Sequence, residues 1–357
     1  MHTQSTFRLL VVRLGAMGDV LHALPAVTAL RQAHPGWVID WVVEPAWCAL
    51  LSAHCETGNF SRGPAQPLVD HLHLASTKAW RHHPFSFNTR HEISSLRTVL
   101  KSCHYDAVLD FQGAVRSAVI GQMAGCRRRV GESRPREWAA RWWFTERVPT
   151  RGTHVIEQDI ELASAVAGDD LAPLPPLLPV DPAAEAWCDA FLASCARQPV
   201  LLLNPGAGWG AKRWPVERYA AVAAALAARG DCVLVNAGPG EEALANAIAA
   251  QSHGAARPLI STLSQLVALT RRVALVIGGD TGPVHLASAL ARPVVGIYGP
   301  TDPARNGPFG SRVRVLRSPL SRRDHSRRAQ PEAGLLTITP DAVLEAAQSL
   351  LGEETPA

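Results

Sequence analysis

Short apolar, β-branched runs that stop at a glycine recur along this chain, and the stretches between them carry apolar residues at helical spacing. Residues 8–15, RLLVVRLG, form such a run, which predicts a buried strand. Residues 19–33 have helical periodicity. Strands are predicted again at 38–44 (VIDWVVE), more weakly at 69–75 (VDHLHLA), and at 105–113 (YDAVLDFQG), with a polar helix over 94–102. Strands that alternate with helices in this way predict a parallel sheet covered by helices.

The alternation stops at residues 168–185, GDDLAPLPPLLPVDPAAE, which hold Pro173, Pro175, Pro176, Pro179 and Pro182. Proline at this density excludes a helix or an inner strand and predicts a linker between domains. The pattern then restarts. Strands are predicted at 199–206 (PVLLLNPG), 232–238 (CVLVNAG), 274–280 (ALVIGGD) and 293–299 (PVVGIYG). Helices are predicted at 216–229, 241–251 and 283–291, with a last one at 340–351. No repeat of solenoid period is present, but the two halves look like two similar α/β units. The expected organisation is a first domain over 1–175, a second over 183–335, and a tail helix in 336–357.

Composition agrees with two sizeable cores: 47% of the 357 residues are hydrophobic and 18% charged. The formal net charge of +4 is too mild for a general nucleic-acid binder. No apolar run approaches the roughly 18 residues of a membrane-spanning helix. The opening MHTQSTFRLLVV lacks a signal-peptide layout, because its apolar run is the first strand. Seven scattered cysteines with no C-x-x-C pair argue against a disulfide framework, so a reducing cytoplasm is the expected setting.

Ligands of parallel α/β sheets bind outside the carboxyl ends of the strands, and several glycine-rich turns fall there. The first, Gly15-Ala-Met-Gly18-Asp19-Val20, fails the dinucleotide fingerprint, which needs G-x-G-x-x-G. It offers instead a carboxylate at a helix start. Asp19 reads either as a cap on backbone N–H groups or as a general base, with Gly18 giving a substrate close access. In the second half GGDTGPVHLA, residues 278–287, follows a strand and opens a helix with Pro283 in its first turn. The N–H groups of Thr281, Gly282 and Val284 and the Thr281 hydroxyl then suit an anion. His285 either donates to a phosphate oxygen or packs in the core. Asp280 beside an anion site orients N–H groups or holds a sugar hydroxyl. NPGAGWGAKRWP, residues 204–215, is not a Walker loop, but Lys212 on a glycine-rich turn suits a phosphate oxygen as well as solvent. Glu241 suits ribose hydroxyls or the favourable first turn of a helix.

Residues 127–151 carry eight arginines against three glutamates, with Trp138, Trp142 and Trp143 interleaved. Such a surface suits an anionic lipid headgroup, with nucleic acid or a plain solvated helix as the other readings. Lys78, Trp80 and Arg81 make a smaller group of the same kind, and Gln112 and Arg116 follow a strand end. No H-x-x-x-H, strand-end D-x-D or G-x-S-x-G occurs, so neither a metal nor covalent chemistry is expected.

Taken together, MGDVLHALPA, PGAGWGAKRWP and DTGPVHLASAL…RPVVGIYGPTDP, in this order, resemble the ADP-heptose:lipopolysaccharide heptosyltransferase family from residue 8 to about 310. The resemblance implies the α/β GT-B fold, two Rossmann-like parallel-sheet domains facing each other across a cleft. It implies an inverting glycosyltransferase needing no metal and no cofactor. It places the base on Asp19 and the donor diphosphate on Lys212, Asp280, Thr281 and Gly282, with His285 near by and the ribose acid on Glu241. On the acceptor side it points to Lys78, Trp80, Arg81, Gln112 and Arg116. The implied partners are ADP-heptose and the Kdo residue of Kdo2-lipid A, met by peripheral contact at the cytoplasmic face of the inner membrane, with no nucleic acid. The opening motif and Trp80-Arg81 resemble the first heptosyltransferase of the pathway, whereas the middle motif resembles the second. Ala207-Gly208 stand where first-type enzymes have two threonines, and the basic stretch SRRDHSRR, residues 321–328, replaces a cysteine-rich tail.

Overall fold

The computed structural model describes residues 6–55, 61–195, 198–324 and 328–353. The chain divides into two compact units, residues 1–180 and 181–357. The division falls inside the proline-rich segment. That segment is not free of helix throughout, as expected above. Asp181 caps the N–H groups of Ala183 and Ala184 at 3.0 and 3.3 Å, and Pro182 opens a helix at a position where its missing N–H costs nothing.

The first unit holds six parallel strands: β1 (Arg8–Val12), β2 (Val38–Val43), β3 (His71–Leu74), β4 (Ala107–Asp110), β5 (Arg128–Glu132) and β6 (Glu146–Val148). Their order in the sheet is β3-β2-β1-β4-β5-β6. Around them lie α1 (Met17–Ala33), α2 (Thr77–His82), α3 (Phe87–Ser102), α4 (Val115–Met123) and α5 (Val155–Ala167). Leu96 and Leu100, one turn apart on α3, bury against Leu10, Val12, Val42 and Val108 of the sheet.

The second unit repeats the plan. Its strands are β7 (Val200–Asn204), β8 (Cys232–Ala237), β9 (Ala256–Ile260), β10 (Leu275–Gly279), β11 (Val294–Tyr298) and β12 (Val313–Arg317), in the order β12-β11-β10-β7-β8-β9. Its helices are α6 (Pro182–Leu192), α7 (Val216–Ala228), α8 (Glu242–Gln251), α9 (Leu263–Thr270), α10 (Gly282–Ala289), α11 (Pro303–Asn306) and α12 (Pro340–Gly352). β7 and β10, the two central strands, are buried at every position, as parallel strands covered on both faces must be. In each unit the order reverses once, between β1 and β4 and between β7 and β10. The carboxyl ends of those strands are therefore where a ligand site is expected.

The tail helix α12 contributes to the core of the second unit. Val343, Ala347 and Leu350, spaced for one helix face, join the core of the second unit with Leu226 and Ile277, and Ile338 just before it accepts hydrogen bonds from Trp214 and Arg218. Residues 127–151 fold as several short elements and keep part of a basic, aromatic surface. They form β5, a 3-10 turn over Trp138–Trp142, and β6. Arg128 bridges Glu146 and the carbonyls of Ala165 and Val166, Arg129 holds the carbonyls of Trp143 and Cys126, and Arg147 holds that of Arg141. Phe144 is buried and Trp143 packs beside it. Trp138 and Trp142 stay on the surface, 60% and 64% exposed and in edge contact at 5.2 Å with Arg141 over the Trp138 ring, and Arg127, Arg134, Arg136, Arg147 and Arg151 are exposed along the same segment.

Truncation of one α12 anchor tests its docking. Leu350→Ala is expected to cost about 2–5 kcal/mol of stability, read as a lower denaturation midpoint. A change below ~0.5 kcal/mol, the usual range for surface positions, would show that the tail helix is not part of the core.

Candidate active site

In the first unit the site is built where β1 and β4 end. Asp19 lies in the first turn of α1, and its Oδ2 accepts the Ala16 N–H at 3.0 Å, so it does cap the helix. Its Oδ1 is 3.4 Å from Arg13, and the carboxylate remains 37% exposed. The cap and an accessible base are therefore compatible readings of one side chain. The turn before it needs glycine: a Cβ on Gly15 would lie 2.4 Å from the Trp47 indole nitrogen.

Arg13 is the organising residue. It is buried, donates to the carbonyls of Asp19 and Phe111, and faces three acids: Asp19, Asp110 and Asp159. Asp110 Oδ1 accepts the N–H groups of Gln112 and Gly113, both at 2.8 Å. Burial pushes the Asp110 carboxyl up to about 6 although these N–H groups and Arg13 oppose the rise. Burial likewise pushes Asp159 on α5 up to about 7, with Arg13 pulling it down and Asp19 adding to the rise.

The acceptor candidates are not equivalent. Lys78 and Arg81 are exposed on α2, and Arg116 is exposed in the first turn of α4. Lys78 also lies 5.8 Å from the Trp47 ring, and its backbone N–H is held by Glu44. Trp80 packs against the core and donates its indole N–H to Glu92 at 2.6 Å, so it anchors α2. Gln112 is buried, its Oε1 accepting the Leu14 N–H at 2.8 Å, so it closes the β1 turn.

In the second unit the glycine-rich turn after β7 and the start of α10 meet. Lys212 makes an ion pair with Asp280, and its ammonium lies 4.2 Å from the Trp209 ring centroid. His285 Nε2 is 3.4 Å from the other Asp280 oxygen. Asp280 is almost wholly buried. Burial alone would raise its carboxyl, but the His285 hydrogen bond and the charge of Lys212 outweigh that and hold it well below the usual range. Burial and the adjacent Asp280 charge drive the Tyr298 phenol the other way. Thr281 is the residue before α10, and Gly282 and Pro283 fill its first positions. The Val284 N–H is used by the Thr281 carbonyl at 3.2 Å, so it is not available to an anion as the sequence suggested. His285 supports Asp280 instead of standing free.

Glu241 stands at the next strand end. It precedes α8, accepts the Gly238 N–H at 3.3 Å, and lies directly against Gly206, where a Cβ would meet its carboxylate at 2.1 Å. Between these turns, Asn236 Nδ2 donates to Asn204 Oδ1 at 3.0 Å, and Ser261 donates to Asn236 at 2.9 Å. Sequence reasoning passed over Arg13, Asp110, Asp159, Trp209, Asn204 and Asn236. Arg13 did leave a signal, as a charge inside an otherwise apolar strand-and-turn run.

A family model described as glycosyltransferase family 9 (heptosyltransferase) matches residues 93–335. The chain is 29% identical to lipopolysaccharide heptosyltransferase 1 of Escherichia coli K12 over 357 residues, 96% of this chain and 100% of that one. It is 28% identical to lipopolysaccharide heptosyltransferase 2 of Salmonella typhimurium, over 97% and 99% of the two chains. The structure superposes on the E. coli heptosyltransferase WaaC with ADP at a TM-score of 0.77 and 27% identity, covering 96% of this chain and 100% of that one.

The acid cluster gives a pH signature. The folded pKa of Asp159, about 7 against an ordinary 3.8, favours the protonated form in the native state. Its contribution is full below about pH 4 and is lost as pH rises through about 7. Asp159→Asn is expected to leave the thermal midpoint unchanged at pH 4 and to raise it by about 10 °C at pH 8, followed by calorimetry. Equal shifts at both pH values would contradict the assignment.

Proposed function

The chain belongs to glycosyltransferase family 9 and is a heptosyltransferase of the lipopolysaccharide core using ADP-heptose, and we propose that it transfers L-glycero-D-manno-heptose, with inversion, to the Kdo residue of Kdo2-lipid A. The observation that carries the reading is the placement of charge at the two switch points. An accessible carboxylate stands at one, and a lysine and a helix start stand together at the other.

In this mechanism Asp19 takes the proton from the acceptor hydroxyl while that oxygen attacks the anomeric carbon of the donor. A single displacement inverts the centre. Negative charge grows on the departing diphosphate and is met by Lys212 and by the N–H groups of Thr281 and Gly282 at the positive end of α10. Asp280 and His285 keep the lysine in place until phosphate oxygens compete for it. Glu241, fixed by the Gly238 N–H, accepts from the ribose hydroxyls. These groups do the work without a divalent metal, as the family resemblance implies. Lys78, Arg81 and Arg116 supply exposed cations for an acidic, lipid-linked sugar.

We place the encounter at the cytoplasmic face of the inner membrane, by peripheral contact. Among the described residues no helix is long and apolar enough to cross a membrane. The exposed Trp138–Trp142 pair beside Arg141 has the amphipathic make-up of an interfacial contact. The second heptosyl transfer is the other reading, favoured by the middle motif and by a near-equal identity to the type 2 relative.

The test is transfer from ADP-L-glycero-D-manno-heptose to Kdo2-lipid A by wild type, Asp19→Asn and Lys212→Ala. Asp19→Asn is expected to lose about 10²–10⁴ in rate while ADP binding persists. Lys212→Ala is expected to weaken ADP binding by about tenfold or more, on the order of 1.5–3 kcal/mol for a charge-assisted bond. Loss of ADP binding in Asp19→Asn would remove it as the base. Product only with a heptosylated core would assign the second transfer.

A further inference from the structure

The first unit contains a group of chemically capable side chains that the proposed transfer does not use. Asp40 lies in the middle of β2, and its register partner on β3 is His71. Strand residues two apart share a face, so His71 and His73 stand on the same side of the sheet as Asp40. That is the face covered by α3, whose last turn delivers Cys103, followed two residues later by Tyr105. One ligand atom each from Asp40, His73 and Cys103 lies within 4.8 Å of the other two.

Asp40 is completely buried, with the Arg8 guanidinium at 3.9 Å and the imidazoles of His71 and His73 at 2.8 and 3.8 Å as its partners. A buried carboxylate is costly unless a cation is held close to it. The donors around it are Tyr105, whose hydroxyl is 2.7 Å from Asp40 Oδ2, and His71, whose Nδ1 is 2.8 Å from Oδ1.

We propose that Asp40, His73 and Cys103 bind one divalent transition-metal ion, zinc by donor type, which fastens β2 and β3 to the end of α3. One carboxylate oxygen, one imidazole nitrogen and one thiolate sulfur are a zinc donor set, unlike the all-oxygen sets of calcium and magnesium. With bonds of about 2.0–2.1 Å, an oxygen–nitrogen donor pair on a tetrahedron stands roughly 3.3 Å apart. Asp40 Oδ2 and His73 Nε2 are 3.8 Å apart, so the two side chains draw together by about half an ångström when they share an ion. The Tyr105 hydroxyl, 2.8 Å from His73 Nε2 as well as 2.7 Å from Asp40 Oδ2, is the oxygen beside the fourth corner. His71 orients the carboxylate from behind, as outer partners of metal ligands do. Binding releases the thiol proton of Cys103 and any proton on His73 Nε2 to solvent. Cys103 is only half-buried, which gives the ion a way in. The site lies at the amino-terminal part of the sheet, whereas Asp19 follows the carboxyl end of β1, so its role is to hold the fold.

The untagged chain, stripped with a chelator, would be titrated with Co2+ and, in competition with a chelating dye, with Zn2+. Wild type is expected to take up one equivalent of each and to develop the near-ultraviolet charge-transfer band of a cobalt–thiolate bond. Cys103→Ser, a near-isosteric change at a half-buried position, is expected to lose the band. It should also weaken zinc by at least the 10–100-fold that loss of an outer partner costs. His82→Ala/His83→Ala, which removes exposed imidazoles, should change neither readout. Absence of the band in wild type overturns the proposal without reference to any variant. So does unchanged zinc affinity in a Cys103→Ser chain whose circular dichroism matches wild type. Either result would leave the cluster as a hydrogen-bonded network only.

Discussion

The constraint on which the structure depends is the single reversal of strand order in each parallel sheet. A right-handed crossover sends its helix to one face when the chain moves one way along the sheet and to the other face when it moves back. At the reversal, the turns leaving two neighbouring strands diverge and open a crevice at their carboxyl ends. Both units reverse at the equivalent place, beside β1 and β4 in one and β7 and β10 in the other. Asp19, Asp110 and the Gln112 turn occupy the first crevice, and the Lys212 turn and Asp280 occupy the second. The same backbone plan therefore offers two sites, and side-chain charge alone makes them different.

That difference can be followed residue by residue. In the first unit one buried cation, Arg13, faces three carboxyls, two of which burial pushes up to about 6 and about 7. The acid nearest solvent, Asp19, has the direct ion pair. The place is suited to accept a proton and unsuited to a phosphate. In the second unit a single carboxylate, Asp280, lies between Lys212 and His285, and a helix start adds its positive end. The lysine and the positive end of that helix suit a diphosphate. The dinucleotide-like opening of the chain does not bind phosphate in this reading because its turn presents Asp19 where a phosphate would lie.

The sequence announced what depends on local rules. Glycine-ended apolar runs marked β1, β7, β8, β10 and β11, because central parallel strands are continuously apolar. It was silent on β5, β6, β9 and β12, which are short or charged, as in RRVGE and ERV, and owe their strand state to neighbours already in place. The glycine turns were legible for the same local reason. The pairings were not: Arg13 reaches the carbonyl of Phe111, and Lys212 reaches Asp280, across 98 and 68 residues. That the Trp80 ring packs partly on the core beside the exposed Arg81 is not legible in the sequence, because exposure is a property of the fold. His71 and His73 did carry a readable signal, since imidazoles two apart on a strand share a face. A search for helical H-x-x-x-H spacing passes over it.

In the proposed mechanism, the pairing of Lys212 with Asp280 has a further consequence. A lysine on a glycine-rich turn has four rotatable bonds and no reason to aim at a phosphate before one arrives. Fixing it only on binding would subtract its rotamer entropy, up to about 2 kcal/mol, from donor affinity. Asp280 and the Trp209 ring fix it beforehand, at the cost of a competing attraction. That competition is tolerable because Asp280 keeps a second partner. When the ammonium turns to phosphate, His285 still holds the carboxylate, so no buried charge is left alone. The carboxylate beside the anion site, puzzling in the sequence, thus acts as a holster for the cation. Its buried histidine makes release of that cation affordable.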